Sequence, residues 1–317
     1  MKREFLRGFH WTFNSWTKGA GMASVAIIAH RKKGRLIGGL AELRRVLAEH
    51  EVVDPIWIEI EKSREASKAA KQVMREGADL IFVWGGDGTV QRCIHALAGL
   101  PVTIAILPAG TANLLATNLQ IPTNLFDAVD VGLHGARRQL DVGILENQRF
   151  AVMAGVGLDA IMMKKANGRL KNRLGRFAYV WTGIRASRMP PLHVRVSVDD
   201  VVWFEGAAVS VLLGQLGNLG GGLIAFPDAL ADDGVLEVGV VKSGGVVALA
   251  RVLMRVAHGH PERSPFTEMT RGREIDITLD RMTPYQVDGG ARKARHRLRA
   301  TIEPLAITVC VPWETQP

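Results

Sequence analysis

Residues 79–92, Asp-Leu-Ile-Phe-Val-Trp-Gly-Gly-Asp-Gly-Thr-Val-Gln-Arg, constrain this chain more than any other stretch. Residues 80–84 are a short apolar run with β-branched and aromatic members, the pattern of a buried strand. The run passes directly into Gly85-Gly86-Asp87-Gly88-Thr89, where glycines let the backbone turn sharply and come close to another group. Residues 90–98 then show helical spacing, with Val90, Ile94 and Leu97 on one face. A strand, a glycine-rich turn and a helix start leave backbone N–H groups facing a phosphate. Asp87 would repel a bare phosphate. Its partner is either a magnesium ion carrying the phosphate or the helix start that it caps.

A second turn of the same kind follows. Residues 103–107 are another apolar strand, leading into Pro108-Ala109-Gly110-Thr111-Ala112-Asn113 and then Leu114-Leu115-Ala116. Two successive strands that end this way put both loops at the carboxyl edge of one parallel sheet, where open α/β folds bind ligands.

The two motifs together resemble the diacylglycerol kinase catalytic domain of soluble bacterial lipid kinases, a group related to sphingosine kinases and NAD kinases. Ala154-Gly155-Val156-Gly157-Leu158-Asp159-Ala160 points to the same branch, and the resemblance runs from about residue 25 to 312. It implies an ATP- and Mg2+-dependent kinase acting on the hydroxyl of diacylglycerol or a related lipid. Gly85, Gly86, Gly88, Thr89, Gly110, Thr111 and Asn113 would contact the nucleotide, and Asp87 would hold the metal. Leu114 stands where many members carry Asp, and Asp141 would be the acidic partner of Asp87. In the loop 226–236 the resemblance implies a second, structural metal held by the Asp233 side chain and the Leu230 and Val235 carbonyls; a turn rich in Asp and Gly is the simpler reading. In Val287-Asp288-Gly289-Gly290 the family's general-base Glu is replaced by Gly290, which leaves Asp288 either as a partial substitute or as a turn cap.

The order of strands and helices through residue 118 predicts a doubly wound parallel sheet. Helices are expected over 36–49 and 64–76, and a strand over 56–60. From residue 139 short strands dominate, expected over 139–145, 149–154, 193–198, 201–204, 208–213, 236–241 and 274–279, which reads as a mainly antiparallel β-rich second domain. A final strand is expected over 305–311, and the resemblance implies that it returns the chain to the first domain. Helices over 172–187 and 246–258 interrupt it. The expected division is an N-terminal extension (1–22), a nucleotide-binding domain (23–138 with about 303–317) and a lipid-substrate domain (139–302).

A net charge of +9 and a pI near 9.9 suit an anionic partner. Aromatic and basic residues alternate in 1–22, and Lys164, Lys165, Arg169, Lys171, Arg173 and Arg176 cluster, so contact with an anionic membrane surface competes with solvated surface. A third basic group, His30-Arg31-Lys32-Lys33-Gly34, could meet phosphates or form a solvated loop. No aromatic-and-basic module points to specific nucleic-acid binding. Two cysteines, Cys93 and Cys310, give neither a zinc spacing nor a disulfide framework, so a reducing, cytoplasmic setting is expected. No run is long enough to predict a transmembrane helix. Two other classes remain open: a catalytically weak sensor or scaffold, suggested by Leu114 and Gly290, and a soluble NAD kinase-like enzyme.

Overall fold

The computed structural model describes residues 24–34, 38–157, 191–220, 223–245, 251–252, 254–256 and 258–313. The expectations for residues 1–22, for the helix over 172–187 and for the basic cluster from Lys164 to Arg176 lie outside these, as does most of the helix expected over 246–258.

The first part alternates strand and helix: β1 (Val25–His30), α1 (Gly39–Glu49), β2 (Ile56–Ile60), α2 (Ala66–Arg75), β3 (Leu80–Gly85), α3 (Asp87–Leu97), β4 (Thr103–Pro108), α4 (Leu114–Asn118) and α5 (Leu125–His134). The strands pair in parallel in the order β2–β1–β3–β4. Every residue of β3 is buried, because helices cover both faces of the sheet and leave no side of the strand for water. α3 turns Val90, Cys93, Ile94 and Leu97 inward; each such apolar side chain contributes about 1.5–3 kcal/mol by burial. α2 packs on α3 through Ala66, Ala69, Ala70 and Val73. These small side chains let the two helix axes approach closely.

The second part is antiparallel: β5 (Ala136–Leu145), β6 (Gln148–Phe150), β7 (Met153–Gly157), β8 (Leu192–Val198), β9 (Val201–Gly214), β10 (Leu236–Lys242), β11 (Thr267–Gly272), β12 (Glu274–Thr283), β13 (Tyr285–Val287), β14 (Gly290–Ala291) and β15 (Arg295–Val311). Buried and exposed residues alternate along β8, as expected for a strand with one face on a core. The buried apolar residues fall into two clusters, one under the parallel strands and one within the antiparallel part.

The strands differ from expectation in several places, and β11, β13 and β14 have no counterpart among the expected ones. The strand expected over 149–154 is broken into β6 and β7, because the N–H groups of Ala151 and Val152 turn away from the ladder to a carboxylate described below. The two strands expected over 201–204 and 208–213 are one, β9; its register against β8 shifts between Val196 and Ser197, where β9 carries one extra residue, Trp203. The strand expected over 305–311 is the end of β15, which is 17 residues long. β15 joins the two parts: Thr301 pairs with Glu274 on β12, and Thr308 runs parallel to Thr103 on β4. Its pairing with β5 lapses between Glu303 and Ile307. Pro304 has no N–H to give there, and Leu305 takes a positive φ of 48°.

Candidate active site

The two glycine loops meet at the carboxyl edge of the parallel sheet, and their glycines serve mainly to bring the loops together. A Cβ on Gly86 would lie 3.0 Å from the Gly110 Cα, and one on Gly110 would lie 2.6 Å from the Gly86 Cα and 2.7 Å from Asn113 Oδ1. Gly85 faces Thr89 in the same way, at 2.6 Å from its Cβ. Gly88 is different: it is exposed, and the nearest atoms to a Cβ there are those of Ser63 at 3.9 Å. It is the second residue of α3; the Thr89 and Val90 N–H groups donate to the Gly86 carbonyl at 2.8 and 3.2 Å, and those of Asp87 and Gly88 have no partner within the helix. Thr111 is exposed at the tip of the second loop. Thr89 is buried and shares a hydrogen bond with the Ser63 hydroxyl at 3.1 Å.

Asp87 stitches the loops. The Asn113 N–H donates to its Oδ2 at 3.0 Å and the Leu114 N–H to its Oδ1 at 2.5 Å. The carboxylate thus caps α4, a helix it does not belong to, where N–H groups favour a negative charge. Asn113 sits in the left-handed region (φ 48°) and folds its own loop: Gly110 N–H donates to its Oδ1 at 2.9 Å, and its Nδ2 donates to the Gly110 carbonyl at 3.1 Å. Its side chain is therefore engaged with the loop.

Across the cleft stands Asp288, at the β13–β14 turn, with a φ of 42°. Its carboxylate is buried and accepts three backbone N–H groups, from Ala151 (2.9 Å), Val152 (3.1 Å) and Met153 (2.9 Å). Burial pushes its pKa up to about 6 against the pull of these donors, and the charge of Asp87 adds to the rise. The cleft between is lined by Gly85, Gly86, Asp87, Val90, Gln91, Asn113, Leu114, Ala151, Val152 and Asp288, among others.

Asp288 is an acidic group on which the charge of Asp87 acts. Asp141 is buried and accepts the Gly234 N–H and the Leu305 N–H, each at 2.7 Å. It thereby pins the irregular point of β15 to the 232–235 turn. Burial raises its pKa first, and Asp233 and Asp232 raise it further, against the two N–H donors. Of the residues expected around a second metal, Leu230 is exposed, Asp233 Oδ1 accepts the Val235 N–H at 3.2 Å, and neighbouring Asp232 pairs with Arg138 at 3.2 Å. Among the described residues no three His, Cys, Asp or Glu side chains converge as a metal cage. Asp87 can still face a magnesium ion that arrives on a nucleotide. Its oxygens retain lone pairs beyond the two N–H bonds, and magnesium keeps several waters and needs few protein ligands.

The basic loop at 30–34 is largely neutralised. Arg31 pairs with Glu59 (3.2 Å) and Glu61 (3.7 Å), and Lys32 with Glu61 (3.8 Å). Several contributors at the site escape a sequence reading. Ser63 lies where the chain leaves β2, at the same sheet edge as the loops. Gln91, a polar residue on the buried face of α3, donates to the Arg149 carbonyl at 2.7 Å and ties α3 to β6. Asn118 and Asn218 exchange two hydrogen bonds, Asn118 Nδ2 to the Asn218 carbonyl (2.8 Å) and Asn218 N–H to Asn118 Oδ1 (3.0 Å), which fasten α4 to the loop after β9. A polar residue at an inward helical position was the available signal for Gln91, and the polar Glu61-Lys62-Ser63 at the end of β2 was the signal for Ser63; Asn118 and Asn218 had none.

Two family models match consecutive stretches of the chain. Residues 24–145 match the diacylglycerol kinase catalytic domain, and residues 152–311 match the YegS C-terminal NAD kinase beta sandwich-like domain. A diacylglycerol kinase of Staphylococcus carnosus is 27% identical over 232 residues, 72% of this chain and 76% of the relative. One of Staphylococcus aureus is likewise 27% identical, over 72% of this chain and 73% of its own. A crystal structure of a diacylglycerol kinase from Bacillus anthracis superposes with a TM-score of 0.74 at 25% identity, covering 91% of this chain and 96% of that one. An NAD kinase from Archaeoglobus fulgidus, solved in complex with ATP, shares the fold at a TM-score of 0.51 and 11% identity, over 90% of this chain and 93% of its own.

Proposed function

The chain belongs to the diacylglycerol kinase catalytic domain family, and from that premise we propose that it transfers the γ-phosphate of ATP to the hydroxyl of diacylglycerol or a related lipid. The observation that carries this reading is the pair of stitched glycine loops, with Gly88 and Thr111 exposed at their mouth, facing a buried carboxylate across a cleft. The N–H groups at the start of α3 and the second loop would meet the nucleotide phosphates. When bound, magnesium would neutralise phosphate charge as it shifts to the leaving group. In the reaction the acceptor oxygen forms a bond to the γ-phosphorus, the bond to the ADP oxygen breaks, and the hydroxyl proton is lost to a base. Asp288 is ionised above pH 6 and has accepted three hydrogen bonds, so it retains capacity for one more and can take that proton.

In this reading residues 23–138 with 303–317 hold the nucleotide, and 139–302 admit the lipid. The chain works in the cytoplasm, against an anionic membrane surface. Among the described residues no helix is long and apolar enough to cross a membrane. Leu230, Asp233 and Val235 remain the candidates for a second, structural metal.

The test is transfer of labelled γ-phosphate from ATP and magnesium into mixed-lipid vesicles, with Asp87→Asn as control. Label in a phospholipid, lost in the variant, is the expected result. A second reading, a nucleotide- or lipid-binding relative without turnover, is favoured by the lack of a side chain at Gly290. Magnesium-dependent ATP binding that Asp87→Asn weakens, with no label in any lipid, would replace the kinase reading by that one.

A further inference from the structure

Gly290 opens β14 beside Asp288, and the space its side chain would fill is taken by a guanidinium. A Cβ on Gly290 would lie 2.5 Å from Arg292 Nη1. Arg292 is held in place by neutral groups. Its N–H donates to the Tyr285 carbonyl at 2.8 Å, its Nε to Gln148 Oε1, and its Nη1 to the Ala291 carbonyl at 3.3 Å. Among the described residues it has no carboxylate in salt-bridge contact.

Other cations converge on the same place from separate elements. α3 and Arg292 meet at β6: Gln91, next to Arg92 in α3, donates to the Arg149 carbonyl at 2.7 Å, and Arg292 Nε donates to Gln148 Oε1. Burial lowers the Arg292 pKa first and Arg92 lowers it further, while Tyr285 and Asp288 act the other way. Arg149, Lys71, Arg92 and Arg292 all bear on His95, whose pKa falls through burial first and then through these charges. Arg149 is neutralised by Glu303, in a two-pronged pair at 2.5 and 2.7 Å. Lys71, Arg92 and Arg292 have no such partner among the described residues. Like charges on α2, on α3 and just after β14 repel one another, and an anion bound among them would relieve that repulsion.

We propose that Arg292 and Arg92 form an anion subsite beside Asp288 that takes a phosphate group. The planar guanidinium suits two-pronged contact with phosphate oxygens. This proposal rests on the kinase reading for its place in a reaction. The phosphate would be the terminal one of the nucleotide or one carried by the acceptor's head group.

The test measures binding, so that it stands apart from turnover. Inorganic pyrophosphate is titrated by calorimetry into the wild type, Arg292→Gln, Arg292→Lys and Arg92→Gln, each first checked for a wild-type melting curve. Arg292→Gln is expected to weaken binding about tenfold or more, the loss of one charge-assisted contact, and Arg292→Lys, which keeps the charge but not the planar fork, recovers only part of it. ATP and ADP are then compared. If the terminal phosphate is the ligand, Arg292→Gln weakens ATP and leaves ADP alone. If a head group is the ligand, both nucleotides are unaffected, and the variant loses preference for phosphatidylcholine vesicles that contain phosphatidic acid over plain ones. Absence of pyrophosphate binding by the wild type, or equal binding by Arg292→Gln, overturns the subsite. Arg292-dependent binding without lipid phosphorylation keeps the subsite and refutes the kinase reading; phosphorylation with Arg292-independent binding does the reverse.

Discussion

Replacing Asp288 with Asn separates two opposed effects at one buried carboxylate. The folded-state pKa is pushed up to about 6 from an ordinary 3.8, so the folded protein holds this proton more tightly than the unfolded chain does. The associated stability is therefore complete below pH 3.8 and is lost as the pH rises through about 6. At about 1.36 kcal/mol per pH unit, the change across this window is about 3 kcal/mol. Asn carries no charge at any pH and removes that dependence. It also offers one acceptor oxygen where the carboxylate has two. If that oxygen keeps Val152 and Met153, the amide NH2 meets the Ala151 N–H donor to donor, at a cost of about 1–3 kcal/mol. The variant is thus expected to be less stable than the wild type near pH 4, and to draw level with it or pass it near pH 8. Urea unfolding of both proteins without nucleotide, at intervals from pH 4 to 8, reads this directly. Other groups titrate in both proteins alike, so the difference isolates Asp288. A stability difference that stays constant with pH would refute the reasoning, because it would mean that the three N–H donors fully offset the burial of the charge.

Two further outcomes are expected. Gly110→Ala would force a Cβ to within 2.6 Å of the Gly86 backbone, and it should cost about 1–3 kcal/mol by overpacking together with some nucleotide affinity; thermal melting and ATP titration check it, and an unchanged Tm would mean that the loops are not in contact as described. Cys93 and Cys310 are buried, and burial pushes both thiols up to about 12, so iodoacetamide at pH 8 should modify them only after unfolding; rapid labelling of the native protein, followed by mass spectrometry, would contradict their burial.

The strand–turn–helix at residues 80–97 was readable because local signals agree there: an apolar run too short for a helix, then glycines, then helical spacing. The same held for β4 and the second loop. The roles of the polar residues were harder to read. Asp87 was weighed as a metal holder or as the cap of its own helix. It caps α4, 27 residues further on, because two loops distant in sequence end at one sheet edge. Asp141 looked like its partner by family resemblance, yet it fastens β15 to the 232–235 turn, a contact made across 164 residues for Leu305. Asp288 was recognised as an acidic residue at a turn, but nothing local shows that it draws three N–H groups out of a strand.

What the sequence determined by itself was most of the elements and the parallel-then-antiparallel order, since apolar periodicity and glycine turns act over a few residues; α5, β11, β13 and β14 were not among them. The tertiary structure decided which glycines are spent on loop contact and which carboxylates face the cleft. It also decided where the charges gather. Arg292 lies two residues from Gly290 and 200 from Arg92, and only the tertiary structure, in which α3 and Arg292 both reach β6, lets their charges act on one another. Hydrogen bonds and charge act between groups that are close in space, and that closeness is settled by the sheet as a whole.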